Sequence, residues 1–200
     1  MVTPQRFRHV IFDFHTSEHI PDVGNLFDKK EFASELKRAR VSSIMAFAKC
    51  HHGWSYYPTQ VGVPHPNLRT DLLGGMVEVC KDNDIDLTIY LSVQWDEREA
   101  RCNPGWRVVP VSSNMGHFVP TWHPLCISNR TYLDRLIAQS REVIELYHPA
   151  GILYDILLPF EHNDGSLTFT VPKVYIHELV VIDMSGDRFD SGSAGLGETE

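Results

Sequence analysis

Four short apolar runs recur between His9 and Leu158, and a longer amphipathic stretch separates each run from the next. The runs are rich in β-branched and aromatic residues, as is typical of buried strands. Buried strands that alternate with amphipathic helices favour a parallel sheet whose connections are right-handed crossovers. The alternation therefore predicts an α/β fold with four parallel strands, which begin near His9, Ser43, Leu87 and Gly151.

Helix-start signals lie between the predicted strands. Asp28 is a suitable N-cap with an acidic residue three positions later, and Asp71 is a suitable N-cap for a second helix. Asn129 or Thr131 begins a third helix, which has a strong apolar face. The proline-rich section before this helix is long for a compact domain, and we interpret it as an irregular, functional loop.

Polar or aromatic side chains occur at the ends of all four predicted strands. His15 follows the first strand, His51 and His52 follow the second, Trp95 follows the third, and Asp155 lies near the end of the fourth. In parallel sheets with helical crossovers, the working site lies at the carboxyl ends of the strands. We therefore expect these side chains to converge on one site.

The chain changes character after Leu158. Asn163-Asp164-Gly165 predicts a turn, and apolar runs at 167–171 and 174–182 predict strands with no helix between them. The last residues are mainly Gly, Ser, Asp and Glu, a composition that favours disorder. The chain accordingly divides into a barrel-like part at 1–159, a short β hairpin-like appendage at 160–183 and a disordered tail at 184–200.

The net charge and the cysteine content limit which binding partners and which cellular location we expect for the protein. The net charge is -8 with neutral histidines, and no cluster of Lys or Arg is seen, which disfavours nucleic acid or an anionic membrane as the main partner. The 4 cysteines form no CxxC pair, so we expect free thiols, as in a cytoplasmic protein. We find no signal sequence and no run near the roughly 20 apolar residues of a membrane helix.

The adjacent histidines His51 and His52 leave a metal site open as an alternative. His15, His19 or Asp155 would complete a ligand set, because imidazole and carboxylate groups suit zinc. Adjacent side chains on an extended segment point to opposite sides, however, so two such histidines rarely bind one ion. We therefore expect no metal and no other cofactor, and we keep a metal-dependent hydrolase as an alternative function.

The segment Lys49-Cys50-His51-His52-Gly53-Trp54 resembles the Lys-His-His-acidic-Gly-Phe motif of α-L-fucosidases of glycoside hydrolase family 29. Phe12-Asp13-Phe14-His15 is similar to the Phe-Ile-His segment of that family's first strand, and Leu153-Tyr154-Asp155 to its fourth-strand Trp-Phe-Asp. The longer sequence pattern, which includes Phe14–His19 and Ser92–Glu97, resembles that of a related set of hypothetical glycosyl hydrolases. Those proteins carry a (β/α)8 barrel, a β-galactosidase-trimerisation-like domain and a β-rich C-terminal domain.

The resemblance covers most of residues 8–158 and implies the first half of a TIM-type (β/α)8 barrel, because a complete barrel needs roughly 250 residues. Residues 160–183 resemble the closing strands of the longer proteins. The resemblance also implies a sugar-binding role for His15 and His51 and a nucleophile role for Asp155. The chain is therefore interpreted as an internally shortened relative that binds a carbohydrate substrate.

A retaining glycosidase uses two carboxyl groups, about 5 Å apart, and the resemblance supplies one of them. Asp96, Glu97 and Glu161 follow predicted strands, but none lies in an acid/base motif of the family, so the acid/base residue is unassigned. The chain also departs from the fucosidase motif at Cys50 and His52. We expect a glycoside hydrolase-like protein of weak or no activity, with a non-catalytic carbohydrate-binding or vestigial protein as the alternative.

Aromatic side chains near the strand ends suit stacking on the C–H faces of a sugar, and core packing is the alternative for each of them. Trp54 and Trp95 are the strongest candidates, and His52 joins His15 and His51 as a predicted substrate-binding residue. A half-barrel also leaves its first and last strands with an unpaired edge. We therefore expect self-association through these edges, unless the segment after Asn163 covers them.

Overall fold

The computed structural model describes residues 6–108, 122–156, 161–163 and 166–168. In chain order the elements are β1 (His9–Ile11), α1 (Lys29–Arg38), β2 (Ser43–Lys49), α2 (Leu72–Asp82), β3 (Asp86–Ser92), α3 (Glu97–Cys102), a 3-10 turn (Pro104–Trp106), α4 (Arg130–Tyr147), β4 (Gly151–Asp155), β5 (Glu161–Asn163) and β6 (Ser166–Thr168). None of the described helices has both the length and the apolar character needed to cross a membrane.

Strands β1 to β4 form one parallel sheet in the order of the chain. This confirms the predicted α/β fold with four parallel strands. β5 and β6 pair separately as an antiparallel ribbon, one strand on each side of the predicted turn. The second predicted strand of the appendage, at 174–182, and the tail at 184–200 lie outside the described residues.

The core lies on both faces of the central strands. All seven residues of β2 are buried, and Ile89 and Leu91 of β3 have no exposed surface. Strands that are buried on both faces are typical of parallel sheets covered by helices. One of these helices is α2, which has seven buried residues and contacts both β2 and β3.

Side-chain caps determine where the long helices begin. Asp28 accepts hydrogen bonds from the backbone N–H groups of residues 30 and 31, both at 2.8 Å, and Asp71 accepts one from Gly74 at 2.8 Å. Asn129 accepts one from Tyr132 at 3.1 Å, so it, and not Thr131, caps α4. Each cap satisfies N–H groups that have no partner inside the helix.

Three features differ from the predicted elements. α3 lies within the section that we interpreted as an irregular loop. β1 ends at Ile11, before Asp13, and all of its residues are exposed. β4 ends at Asp155, because Ile156 has a φ of 55°, a left-handed value at which an extended strand cannot continue.

The pairing of β2 with β3 shifts by one residue just before the histidine pair. Phe47 pairs with Tyr90, whereas Lys49 pairs with Leu91, so Ala48 is an extra residue in β2. A bulge of this kind bends the strand and re-aims the side chains that follow it. The shift therefore helps to set the directions of the next residues, which include His51.

Candidate functional site

His15 and His51 stack face to face at the carboxyl ends of β1 and β2. Their ring centroids are 3.9 Å apart, and the backbone N–H of His51 donates to His15 Nδ1 at 3.2 Å. Because Nδ1 accepts this bond, neutral His15 carries its proton on Nε2. That nitrogen lies 3.2 Å from Asp13 Oδ1, so His15 Nε2–H donates a hydrogen bond to Asp13, which favours this tautomer.

His51 has the opposite tautomer. Its Nδ1 lies 2.6 Å from Ser92 Oγ, and the Ser92 hydroxyl itself donates to the carbonyl oxygen of Trp95 at 2.6 Å. Ser92 Oγ must therefore accept a proton from His51 Nδ1, which leaves Nε2 with a free lone pair. This Nε2 lies 3.8 Å from Asp155 Oδ2.

Burial, together with the neighbouring ring of His15, lowers the pKa of His51 to about 4. Burial also lowers the pKa of His15 and of His52. His51 is therefore neutral near pH 7, and its Nε2 is a hydrogen-bond acceptor. Since Asp155 Oδ2 also accepts hydrogen bonds, two acceptors face each other, and no donor from the described residues bridges them.

Asp155 ends β4 beside Ser92, its partner in the register of β3. The Tyr90 hydroxyl donates to Asp155 Oδ2 at 2.5 Å, and burial together with this carboxylate raises the pKa of Tyr90. Tyr90 therefore stays protonated, and its ring stacks on Phe47 at 3.8 Å. With Oδ2 held in this way and 36% of the side chain exposed, Oδ1, which has no hydrogen-bond partner among the described residues, is left for a ligand.

The backbone after Asp155 is strained. Ile156 is β-branched and has a φ of 55°, a conformation that β-branched residues rarely adopt. Such a residue costs of order 1–3 kcal/mol and persists only where surrounding contacts impose it. Strain of this kind is often found at functional sites, so its position directly after Asp155 supports a functional role for that residue.

Two tryptophans form an aromatic wall beside His51. The His51 ring lies 4.8 Å from Trp95 and 5.6 Å from Trp122, and the two indoles are 6.4 Å apart. Trp122 also contacts His52 at 4.7 Å. Trp95 is thus placed where the sequence predicts it, whereas Trp122 comes from the irregular section and was a weaker stacking candidate than Trp54 and Trp95.

Among the described residues, neither His52 nor Trp54 contacts Asp155. They border a cavity of about 270 Å³ whose lining includes Glu18, His52, Trp54, Glu97, Arg98 and Arg101. The Trp54 Nε1–H donates to Glu18 Oε2 at 3.4 Å, and the Arg98 guanidinium lies 5.7 Å from the indole centroid. The structure therefore brings together His15, His51, Trp95 and Asp155, whereas the other two predicted residues line the neighbouring cavity.

His51 and His52 form a turn after β2, the histidine turn, and the start of α3 holds it in place. The backbone N–H groups of Glu97 and Arg98 donate to the carbonyl oxygens of His51 and His52, at 2.9 and 3.2 Å. These are first-turn groups that have no partner inside the helix. The turn thus supplies hydrogen-bond acceptors to the first N–H groups of α3, and these two hydrogen bonds fix the backbone of both histidines.

A buried ion pair supports the same junction. Lys49 Nζ lies 2.9 Å from Asp96 Oδ2, and only 3% and 4% of these side chains are exposed. The second oxygen of Asp96 accepts from the backbone N–H of Glu99 at 3.0 Å and caps α3. Gly53 approaches this carboxylate so closely that a Cβ would lie 2.2 Å from Asp96 Oδ1.

The carboxylates considered as partners of Asp155 are occupied elsewhere. Asp96 binds Lys49, and Glu97 accepts hydrogen bonds from the backbone of His123 at 3.1 Å and from Arg101 Nε at 3.1 Å. The side chain of Glu161 lies outside the described part of the chain. Within the described part, no group of three His, Cys, Asp or Glu side chains is arranged to hold a metal ion.

Tyr90 and Ser92 are functional-site candidates that sequence reasoning missed, because both lie inside an apolar strand. Their spacing contains a usable signal, since residues two apart in a strand lie on the same face. Two polar groups at alternate positions near a strand's carboxyl end are unusual in a strand buried on both faces. That pattern would have placed both hydroxyls beside Asp155.

Comparison with known proteins gives one family match. A sequence model of the family described as Hypothetical glycosyl hydrolase 6 matches residues 28–156. No curated protein matches the chain.

Solved structures of fucosidases are similar to the chain. An alpha-L-fucosidase isoenzyme 2 from Paenibacillus thiaminolyticus has 41% sequence identity and a TM-score of 0.71, over 76% of this chain and 24% of that protein. The chain therefore spans about a quarter of the length of that relative.

Two more distant structures show a shared fold alone. An alpha-L-fucosynthase from Thermotoga maritima, in complex with alpha-L-Fuc-(1-2)-beta-L-Fuc-N3, has 18% identity and a TM-score of 0.52, over 70% of this chain and 30% of that one. A hypothetical protein from Ruminiclostridium thermocellum has 16% identity and a TM-score of 0.52, over 71% of this chain and 74% of that one.

The histidine turn is expected to depend on Gly53. Its φ of 87° disfavours any residue with a Cβ, and the Cβ would overlap Asp96, so Gly53→Ala should lower the free energy of unfolding by about 2–4 kcal/mol. Gly105→Ala is the matched control, because a Cβ there meets nothing within 4 Å. Urea unfolding of both variants measures the difference, and equal losses would contradict the expectation.

Stability is expected to fall as the pH drops from about 6.5 to about 4. In this window the unfolded chain protonates His51 while the folded chain, in which its pKa is about 4, does not. Protons therefore favour unfolding, and His51→Gln should reduce the loss of stability between about pH 7 and 4.5 by about 1–3 kcal/mol. Urea unfolding at both pH values tests this, with exposed His19→Gln as control; identical pH dependence of the two variants would refute it.

Proposed function

Because the chain belongs to the family of hypothetical glycosyl hydrolase 6, we propose that it binds a carbohydrate at the carboxyl ends of β1 to β4 and acts on a glycosidic bond through Asp155. The family resemblance deduced from the motifs is confirmed. The fucosidase relatives support a sugar substrate, and the arrangement around Asp155 supports the chemistry.

The carboxylate of Asp155 is the observation on which the proposal depends. Tyr90 holds Oδ2, the side chain is open to solvent at the end of β4, and Oδ1 is available for a ligand. An anionic oxygen held in one orientation suits attack on an anomeric carbon, as a retaining glycosidase requires. Tyr90 would steady the carboxylate without neutralising it, since its own proton is held more tightly than usual.

The two facing acceptors favour a hydroxyl-bearing ligand. His51 Nε2 and Asp155 Oδ2 are 3.8 Å apart, and no donor from the described residues bridges them. A sugar hydroxyl beside His51 would donate to Nε2, whereas Asp155 Oδ2 already accepts a hydrogen bond from Tyr90. His15 contributes less directly, by accepting the His51 N–H and stacking on its ring.

We propose that the activity is reduced, because no general acid is identified beside Asp155 in the part of the chain that the structure describes. Asp96 and Glu97 are held by Lys49, Arg101 and His123. Loss of a general acid typically lowers the rate by 10²- to 10⁴-fold, and this loss is smallest for a good leaving group that departs without a proton. Activated aryl glycosides are therefore the substrates most suited to a first assay.

A non-catalytic carbohydrate-binding protein is the second candidate. The same absence of an identified acid favours it, because binding needs the acceptors and the aromatic wall but not a second carboxyl group. A metal-dependent hydrolase, the third class that the sequence leaves open, has no supporting ligand group among the described residues. A cytoplasmic location stays a prediction, with Cys50, Cys80, Cys102 and Cys126 all free.

Hydrolysis of p-nitrophenyl α-L-fucoside and p-nitrophenyl β-galactoside by the purified chain tests the proposal. We expect slow release of p-nitrophenol that Asp155→Asn abolishes, because an amide is a poor nucleophile. The exposed Asp134→Asn is the matched control and should retain the full rate. Incubation with 2-fluoro-fucosyl fluoride, followed by mass spectrometry of peptides, should place a label on Asp155.

The outcomes separate the candidates. Release that persists in Asp155→Asn would contradict the nucleophile assignment. Binding of sugars without hydrolysis or labelling would favour the non-catalytic candidate. A rate within tenfold of that of the longer Paenibacillus thiaminolyticus relative would contradict the proposed loss of activity.

We also propose that the chain self-associates through its sheet edges. Within the described ranges, β1 pairs only with β2 and β4 only with β3, and Ile11 in β1 is 56% exposed. Open edges of this kind pair readily with other strands. Light scattering after size exclusion should show oligomers that Ile11→Lys reduces and Leu26→Lys, in an exposed turn, does not. A monomer of the unmodified chain that melts cooperatively would refute the proposal.

A further inference from the structure

We infer that Asp13 is the general base of the second chemical step, in which water releases the sugar from Asp155. The inference rests on the proposed function, in which Asp155 forms a glycosyl-enzyme. A general base needs an acceptor oxygen, a fixed position close to the nucleophile and a route by which its proton reaches solvent. Asp13, which follows β1 and was not among the predicted site residues, meets each of these needs.

The backbone on both sides of Asp13 is held by the core. The N–H of Phe12 donates to the carbonyl oxygen of Met45 at 3.0 Å. The carbonyl oxygen of Phe14 accepts from the Tyr56 hydroxyl at 3.1 Å, and the two rings pack with their centroids 4.7 Å apart. The side chain of Asp13 itself is 69% exposed. Asp13 therefore presents an open carboxylate on a fixed segment, and solvent reaches it directly.

Two stacked histidine rings link Asp13 to Asp155. The Nε2–H of His15 donates to Asp13 Oδ1 at 3.2 Å, and the His15 ring stacks on His51 with the centroids 3.9 Å apart. At the other end of this pair, His51 Nε2 lies 3.8 Å from Asp155 Oδ2. The two carboxylates therefore border the same pair of rings at the carboxyl ends of the strands.

The charges of Asp13 and Asp155 act on the same neighbours. Burial lowers the pKa of His15, and both carboxylates oppose this shift. Burial and the hydrogen bond to Asp155 raise the pKa of Tyr90, and the charge of Asp13 adds to the rise. Coulombic interactions weaken with distance and with screening by solvent, so each carboxylate must lie near both His15 and Tyr90.

Asp13 suits the base of the second step rather than the acid of the first. Because His15 donates to it, Asp13 presents acceptor oxygens, which a base needs. Water would lose a proton to Asp13 while its oxygen bonds to the anomeric carbon. The bond from that carbon to Asp155 then breaks, and its electron pair returns to the Asp155 carboxylate. The first step still has no identified acid among the described residues, so the proposed reduction in activity stands.

His51 is the other acceptor near the nucleophile, and it is less suited to be the base. Its side chain is only 10% exposed, and burial, together with the neighbouring ring of His15, lowers its pKa to about 4. A proton accepted there would place a positive charge where burial disfavours it. Asp13 instead becomes neutral when it accepts a proton, and it can pass that proton to solvent.

The lifetime of the glycosyl-enzyme tests the inference, because it measures the second step alone. The full chain is labelled with 2-fluoro-fucosyl fluoride and freed of excess reagent. Intact-mass measurements then follow the loss of the label in water, with and without sodium azide, an anionic nucleophile that needs no base. The variants are Asp13→Asn, Asp13→Glu, which keeps a carboxylate, and the exposed Asp134→Asn as the matched control.

We expect Asp13→Asn to lengthen the lifetime of the label by about 10²-fold or more, as loss of a general base does. Azide should shorten this lifetime to that of the unmodified chain in azide and release fucosyl azide. Asp13→Glu should recover part of the rate in water, and Asp134→Asn should not change it. The melting temperature of Asp13→Asn should match that of the unmodified chain, because the Asp13 side chain is exposed.

Three results would overturn the inference. These are equal lifetimes for Asp13→Asn and the unmodified chain, a longer lifetime that azide does not shorten, or a longer lifetime in His51→Gln than in Asp13→Asn. In each case the label on Asp155 still forms, so the proposed function survives. Failure of the proposed function appears differently, as no label on Asp155 in the unmodified chain, and that result would refute the nucleophile and the base together.

Discussion

The buried ion pair between Lys49 and Asp96 joins the two segments that carry most of the candidate site. A buried charge that loses its partner costs about 3–5 kcal/mol, so the two side chains persist only together. Lys49 ends β2 two residues before His51, and Asp96 caps α3, whose first N–H groups reach the carbonyl oxygens of the histidine turn. The position of the His51 ring therefore depends on a contact that no ligand would touch.

Local patterns were sufficient to predict the sheet and three of the helices, because strand period and helix caps are properties of neighbouring residues. Asp28, Asp71 and Asn129 cap the helices as expected. α3 was missed because it has only six residues, with charged groups at four of them and no apolar face. Its start is determined by Asp96, whose orientation depends on a lysine that is distant in sequence.

The candidate site was predictable in part for the same reason. The convergence of His15, His51 and Asp155 follows from strand order, because the carboxyl ends of neighbouring parallel strands lie at one edge. The hydrogen-bond chain through Ser92 and Tyr90 was not predictable, since it depends on the pairing register and on which groups are buried. The place of Trp54 likewise depends on Glu18 and on the helix α3 that the sequence did not indicate.

The extra residue at Ala48 has a consequence for how relatives of this chain can diverge. Side chains alternate along an extended segment, so gaining or losing one residue exchanges the two sides for every later position. Without the shift, Lys49 would lie on the opposite face of β2, and the turn that carries His51 and His52 would start from that face. The positions of both rings thus depend on the number of residues in β2, so a relative can replace either histidine more easily than it can gain or lose a residue before them.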